Sequence, residues 1–266
     1  MKISLLVLLA LVMGALSLPA QDWARDRLEK SPRHLEWVTV KHGDREVKCF
    51  IAYPEVKSNA TAVVVIHEIF GLTDWARGVT DQLAAAGYIA IAPDLLSGAA
   101  PGGGGTAELG GNDAVRKAIA ALQPEQITAD LDAAVDYVAA LPSCNGKVVV
   151  AGFCWGGTQS FRFATNNKKI KAAFVFYGTG PDQAAEAGRI AGPVYGFYGG
   201  NDNRVTATVP ASTRLMQTVG KVYEPMIYDG AGHGFMRAGE APDANEANRK
   251  ARDEAWKRWK ELLGKI

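Results

Sequence analysis

Cys154 stands among glycines in the run Gly152-Phe153-Cys154-Trp155-Gly156-Gly157, directly after the strand-like stretch Lys147 to Ala151. A strand that turns abruptly into a helix forces its central residue into a strained backbone, so the residues two places away must be small. Gly152 and Gly156 meet that demand. The pattern is a nucleophile elbow with cysteine in place of serine. Its turn lifts the thiol above the strand end, at a helix N-terminus whose partial positive charge favours thiolate. The backbone N–H of Trp155 would then face a developing oxyanion. A lone buried cysteine is ordinarily inert, but that reading leaves both glycines and the preceding strand unexplained.

Such a nucleophile needs an imidazole later in the chain, oriented by an acid that lies between the two. His233, in Gly230-Ala231-Gly232-His233-Gly234-Phe235, follows the run Val222 to Ile227, and Asp202, in Gly199-Gly200-Asn201-Asp202, follows Val194 to Tyr198. Each leaves the end of an expected strand, on the rim expected to carry Cys154. Of the four histidines, His34 and His42 fall in an N-terminal arm and hairpin, so His67 is the competitor. A zinc-protease reading of His67-Glu68 needs a second histidine four residues after the first. Gly71 stands there, and the cysteine spacing fits no zinc pattern either, so no metal is expected.

The segment His67-Glu68-Ile69-Phe70-Gly71 follows the apolar run Ala62 to Ile66. A loop in that place supplies a second oxyanion N–H, for which Ile69 is the candidate. Glu68, beside the elbow, could accept the thiol proton. Arg237 closes His233-Gly234-Phe235-Met236-Arg237 and could hold a substrate carboxylate through a bidentate contact. The Pro101 to Gly105 run lacks the Lys-Ser or Lys-Thr of a phosphate loop and is expected to be a flexible lid or a linker.

These residues need a scaffold, and the rest of the chain describes one. Leu35 to Lys41 and Glu46 to Tyr53 alternate around Gly43 and Asp44, as an antiparallel hairpin does. Ala62 to Ile66, Tyr88 to Ala92, Lys147 to Val150, Ala172 to Phe176, Val194 to Tyr198 and Val222 to Ile227 are short apolar runs that suit parallel strands buried on both faces. Helical stretches lie between them. Thr73 caps one that Gly87 ends, Ile127, Leu131, Val135 and Val138 stripe another, and a last one runs from about Asn245 to Leu263. The expected fold class is α/β, a mostly parallel doubly wound sheet with an N-terminal antiparallel hairpin.

Composition bounds the partners. The chain has 266 residues, 48% of them hydrophobic, with a net charge of +1, so nothing argues for nucleic acid or an acidic membrane surface, and a small-molecule partner is expected. Met1 and Lys2, the apolar run Leu5 to Leu16 and the small residues Ser17 and Ala20 make a secretory signal. The run is short of the roughly 20 apolar residues that span a bilayer. The expected organisation is a signal peptide over 1–20, a polar, loosely ordered arm over 21–34 and one domain over 35–266. The product would be a secreted or periplasmic monomer without stable membrane insertion once the signal is cleaved. Three cysteines leave at least one thiol unpaired, and a bridge between Cys49 and Cys144 stays open.

Taken together, the Glu68-Ile69-Phe70-Gly71 segment, the elbow at Cys154, the Asp202 turn and the His233 loop resemble, in order, the dienelactone hydrolase family of α/β-hydrolases. The resemblance runs from about Val47 to the C-terminus. It implies an α/β-hydrolase fold and a small ester or lactone substrate, and it implies no cofactor. Cys154 would be the nucleophile, His233 the general base and acid, and Asp202 the residue orienting the imidazole. Glu68 would deprotonate the thiol when substrate binds, and Ile69 and Trp155 would form the oxyanion hole. The family's dienelactone enzymes hold a substrate carboxylate with two arginines, the first after the strand that ends here at Ala92. Leu95 to Gly111 contains no arginine, and only Arg237 matches. The competing expectation is a non-catalytic binding or accessory protein on the same scaffold, which would have no need of a complete triad.

Overall fold

A computed structural model describes residues 22–266. The signal-peptide expectation over 1–20 lies outside the described residues. In chain order the elements are α1 (Asp22–Glu29), β1 (Leu35–His42), β2 (Arg45–Ala52), β3 (Ala60–Ile66), α2 (Asp74–Ala85), β4 (Ile89–Pro93), α3 (Asn112–Ala121), α4 (Pro124–Ala139), β5 (Cys144–Phe153) and α5 (Trp155–Asn166). They continue with β6 (Ala173–Phe176), α6 (Ala184–Ala187), β7 (Val194–Gly199), α7 (Asn203–Thr206), α8 (Val209–Thr218), β8 (Tyr223–Tyr228), α9 (Phe235–Ala238) and α10 (Glu246–Leu263).

The strands form one sheet in the order β1-β2-β4-β3-β5-β6-β7-β8. The β1–β2 and β2–β4 pairs are antiparallel, and every pair from β4 through β8 is parallel. This is the α/β-hydrolase fold. The apolar runs explain the centre. All of β3 is buried, with Ala62, Val64 and Ile66 facing one helical layer and Val63 and Val65 the other, as the two-residue period of a strand requires. The first layer packs Leu131, Val135 and Val138 of α4 with Phe161 of α5. The second packs Trp75 and Leu83 of α2 with Ala255 and Trp259 of α10. Each fully buried Val, Leu, Ile or Phe side chain among them contributes about 1.5–3 kcal/mol.

Three local expectations are corrected. The arm is not loose over its described residues 22–34, because Asp22–Glu29 is helical and buries Ala24 and Leu28, one helical turn apart, against α2. Arg33 fastens its end through a fork of 2.6 and 2.8 Å bonds to Asp81. β8 is an edge strand, and Val222, Met226 and Ile227 are exposed rather than buried on both faces. The glycine-rich segment after β4 is neither a free lid nor a linker. The buried Asp94 carboxylate accepts from Leu96 N, Thr106 N and Thr106 Oγ1, and Thr106 Oγ1 accepts in turn from Leu72 N. Gly105 passes so close that a Cβ there would lie 2.3 Å from Asp94 Oδ2. That clamp ties the segment to the loop after β3.

Candidate active site

The site sits at the C-terminal ends of β3, β5, β6, β7 and β8, where loops of a parallel sheet converge. The elbow is as tight as its glycines imply. Cys154 has φ 56° and ψ −117°, between the last residue of β5 and the first of α5. A Cβ on Gly152 would lie 1.9 Å from Gly156 O, and one on Gly156 would lie 2.4 Å from His67 O. Strain of this kind costs on the order of 1–3 kcal/mol and persists only where the surroundings enforce it. Here the enforcement is the packing of α5 against the end of β3, together with a 3.0 Å bond from Cys154 N to Phe176 O.

Cys154, His233 and Asp202 meet in a line. His233 Nε2 lies 3.1 Å from Cys154 Sγ, and His233 Nδ1 lies 2.5 Å from Asp202 Oδ2. Asp202 is 6% exposed and also caps α7 by accepting from Val205 N through Oδ1, so its carboxylate is fixed at both oxygens. The contact with Cys154 is the chief reason the imidazole pKa rises to about 9; the Asp202 bond adds to it, and burial opposes both. The competitor His67 is excluded from this line. It is fully buried, its Nδ1 lies 2.8 Å from Glu68 O, its ring stacks on Trp155 at 5.6 Å, and burial pushes its pKa down.

Trp155 opens α5 and Ile69 follows β3, and both side chains pack on the patch of Leu96, Val115 and Ile119. Trp155 follows Cys154 directly, and Ile69 lies beyond β3, the strand paired with β5 that carries the elbow. Glu68 is buried at 3% exposure, and its Oε2 accepts from Arg237 Nε at 2.7 Å. In this arrangement the thiol faces the imidazole and Glu68 faces Arg237. The guanidinium also lies 5.3 Å over the Phe70 ring. Arg237 is therefore already paired, and a substrate anion would have to compete with Glu68 for it.

Two further residues belong here and were missed. Arg116 of α3 lies 5.4 Å over Phe70 as well, so guanidinium groups from distant parts of the chain share one ring. Nothing in a helical sequence announces that contact. Tyr177, which follows β6, packs edge-on against His233 with 5.1 Å between centroids. Its signal was faint: a tyrosine ending an apolar strand, just before Gly178. A cleft of about 1200 Å³, lined by Trp23, Trp37 and Leu72 among others, reaches the site at Phe70 and Arg237 and is not walled by the triad itself. Among the described residues, the cysteines are free, and no cluster of three metal-ligating side chains occurs.

Comparison with known proteins places the site in context. The "Dienelactone hydrolase family" profile matches residues 47–266. A protein of Synechocystis sp. named "Putative carboxymethylenebutenolidase" is 30% identical over 242 residues, covering 85% of this chain and 94% of its own length. A Saccharolobus solfataricus protein of the same name is 29% identical over 254 residues, covering 83% and 95%. Among solved structures, a dienelactone hydrolase-like promiscuous phosphotriesterase from metagenomic libraries superposes with a TM-score of 0.73 at 23% identity, covering 88% of this chain and 98% of that one. A Klebsiella pneumoniae structure described as a "Putative Dienelactone Hydrolase" gives 0.76 at 24% identity, covering 88% and 99%.

Proposed function

The chain belongs to the dienelactone hydrolase family and is an ester or lactone hydrolase, and we propose that it works through a thioester on Cys154 after export from the cytoplasm. One observation carries the chemistry: the unbroken Asp202–His233–Cys154 line, with bonds of 2.5 and 3.1 Å.

His233 holds the thiol proton while sulfur attacks the ester carbonyl. The new S–C bond pushes the carbonyl π pair onto oxygen, where the N–H groups of Ile69 and Trp155 receive it. Collapse breaks the ester C–O bond, and the imidazolium protonates the departing oxygen. Water then gives its proton to His233 and attacks the thioester carbonyl, and the thiolate leaves. Asp202 fixes the tautomer throughout by accepting from Nδ1–H. Glu68 can reach the thiol only after its bond to Arg237 opens. Arg237 is the proposed partner of a substrate carboxylate, through its terminal N–H groups.

An enol lactone suits this nucleophile. Its leaving enolate becomes a ketone, so acylation is not reversed, whereas an alkyl ester offers a poorer leaving group. Lactones, aryl esters and carboxylate-bearing esters are to be assayed with wild type and Cys154→Ala. The reading requires turnover by the former and none by the latter, and equal turnover would end it. Export is supported by the Lys2, Leu5–Leu16 and Ala20 pattern. The intact mass of protein recovered from outside the cytoplasm tests it, and retention of residues 1–20 would contradict it.

A further inference from the structure

The cleft of about 1200 Å³ that meets the site at Phe70 and Arg237 exceeds the roughly 300–1,000 Å³ of pockets that enclose a drug-sized ligand. A simple lactone would leave most of it empty. Its far wall is made by Trp23 of α1 and Trp37 of β1. Both elements precede residue 47, where the family match begins. β1 lies three strands from β3, whose following loop carries Phe70, and three strand spacings span roughly 14 Å. Trp37 pairs with Phe50, and Phe50 with Ala92 near the C-terminal end of β4. The far wall therefore stands on the rim that carries Cys154.

That wall is held in place. Trp37 is 51% exposed, yet its ring meets Phe50 edge-on at 5.5 Å and the Arg77 guanidinium lies 5.7 Å over it. Trp23 rides on a helix of eight residues, too short to be stable alone in water. The helix is pinned by the buried Ala24 and Leu28 and by a 3.3 Å bond from Arg25 Nε to Asp74. On the side toward β4, the Asp94 clamp fixes Thr106, which also lines the cleft. Walls ordered in advance lower the entropy cost of taking up a ligand.

Charge and shape then select the ligand. Five carboxylates against three cations line the cleft, which disfavours an anion along its length. Of the cations, Arg77 is held by Asp74 and Lys48 donates to Thr39 Oγ1, which leaves Arg237 at the catalytic end. The apolar surface includes Trp23, Trp37, Phe70, Leu72 and Pro242, and three of these are aromatic, which favours a flat ring. We propose that the cleft is a subsite for a neutral aromatic group at the remote end of the substrate, with Trp37 as its main contact. This rests on the ester-hydrolase reading and names its substrate class, elongated arylalkyl esters or lactones.

The test is Trp37→Ala, assayed on hexanoyl esters whose chain ends in methyl, cyclohexyl or naphthyl. A second series carries the same three groups on the alcohol. In wild type the naphthyl ester should exceed the plain ester in kcat/KM in one of the two series, with cyclohexyl between them. Trp37→Ala should lower the naphthyl-to-plain ratio about tenfold, carried by KM, the size of one aromatic contact with its buried area. An unchanged ratio in both series overturns the proposal, as does a cyclohexyl ester that matches the naphthyl one. Trp23→Ala makes the same test on a separate element and should lower the same ratio. Binding is read apart from turnover in Cys154→Ala, where the naphthyl ester should quench tryptophan fluorescence and bind about tenfold more weakly once Trp37→Ala is added. Equal binding with and without Trp37 overturns the proposal. Wild type that turns over none of these esters would instead fail the hydrolase reading, while binding lost with Trp37 would still identify the subsite.

Discussion

His233 Nε2 stands 3.1 Å from Cys154 Sγ, although 79 residues separate them in the chain. The contact exists because β5 and β8 end on the same rim, and because Asp202 at the end of β7 turns the imidazole toward sulfur. Each part of that geometry has a measurable consequence.

Asp202→Asn should leave the fold intact and reverse the hydrogen-bonding sense at His233 Nδ1. The wrong tautomer would then present N–H to the sulfur. The expected loss in kcat is on the order of 10³- to 10⁴-fold with little change in KM. Near-normal kcat would remove Asp202 from the account.

The pH dependence of stability follows from His233. Its folded pKa, raised to about 9 first by the Cys154 contact, exceeds the ordinary value of 6.5. The folded state therefore holds this proton more tightly than the unfolded chain does. The resulting stabilisation is complete below about pH 6.5 and is lost as pH rises through about 9. Thermal melts of wild type and His233→Gln should converge between pH 7 and 10, and parallel curves would contradict the shift.

Arg237→Ala should expose the cost of a buried, unpaired Glu68, whose side chain is 4% exposed against 30% for the arginine. The expected destabilisation is about 2 kcal/mol, reduced from the fully buried case by solvent at the arginine. Adding Glu68→Gln should recover part of it in denaturant titrations. The single variant should also lose its preference for acidic esters, and an unchanged preference would retire Arg237 as the carboxylate partner.

The elbow glycines test the strain argument. Gly152→Ala places a Cβ 1.9 Å from Gly156 O, backbone against backbone, and should cost at least about 3 kcal/mol or prevent folding. Gly78→Ala, where a Cβ meets nothing within 4 Å inside α2, should instead stabilise by about 0.5–1 kcal/mol. Equal effects at both positions would mean that the elbow is not tight.

Much of this was legible because it was local. The apolar runs gave the strands, Thr73 does cap α2 by accepting from Ala76 N, and Gly152 and Gly156 marked the elbow. Cys154, His233 and Asp202 could be paired across the chain because each follows a strand of one parallel sheet. What could not be read depended on contacts between distant segments. Helix α1 is short, and it is held by burial of Ala24 and Leu28 rather than by propensity. Asp130 looks like a solvent-facing residue of α4, yet it is fully buried between Arg45 and His42. Edge position decides that Met226 and Ile227 are exposed, and no local pattern encodes it. The pairing of Glu68 with Arg237 is likewise a property of the assembled site.

The most direct test of the central claim is the mass of the enzyme caught during turnover. An aryl ester with a hindered acyl group is mixed with protein, quenched in acid, and the intact mass and the peptide containing Cys154 are read. The account predicts a gain of one acyl group on Cys154, removable by hydroxylamine and absent from Cys154→Ala. Steady ester cleavage with no acyl group on that cysteine, or with the group on another residue, would contradict it.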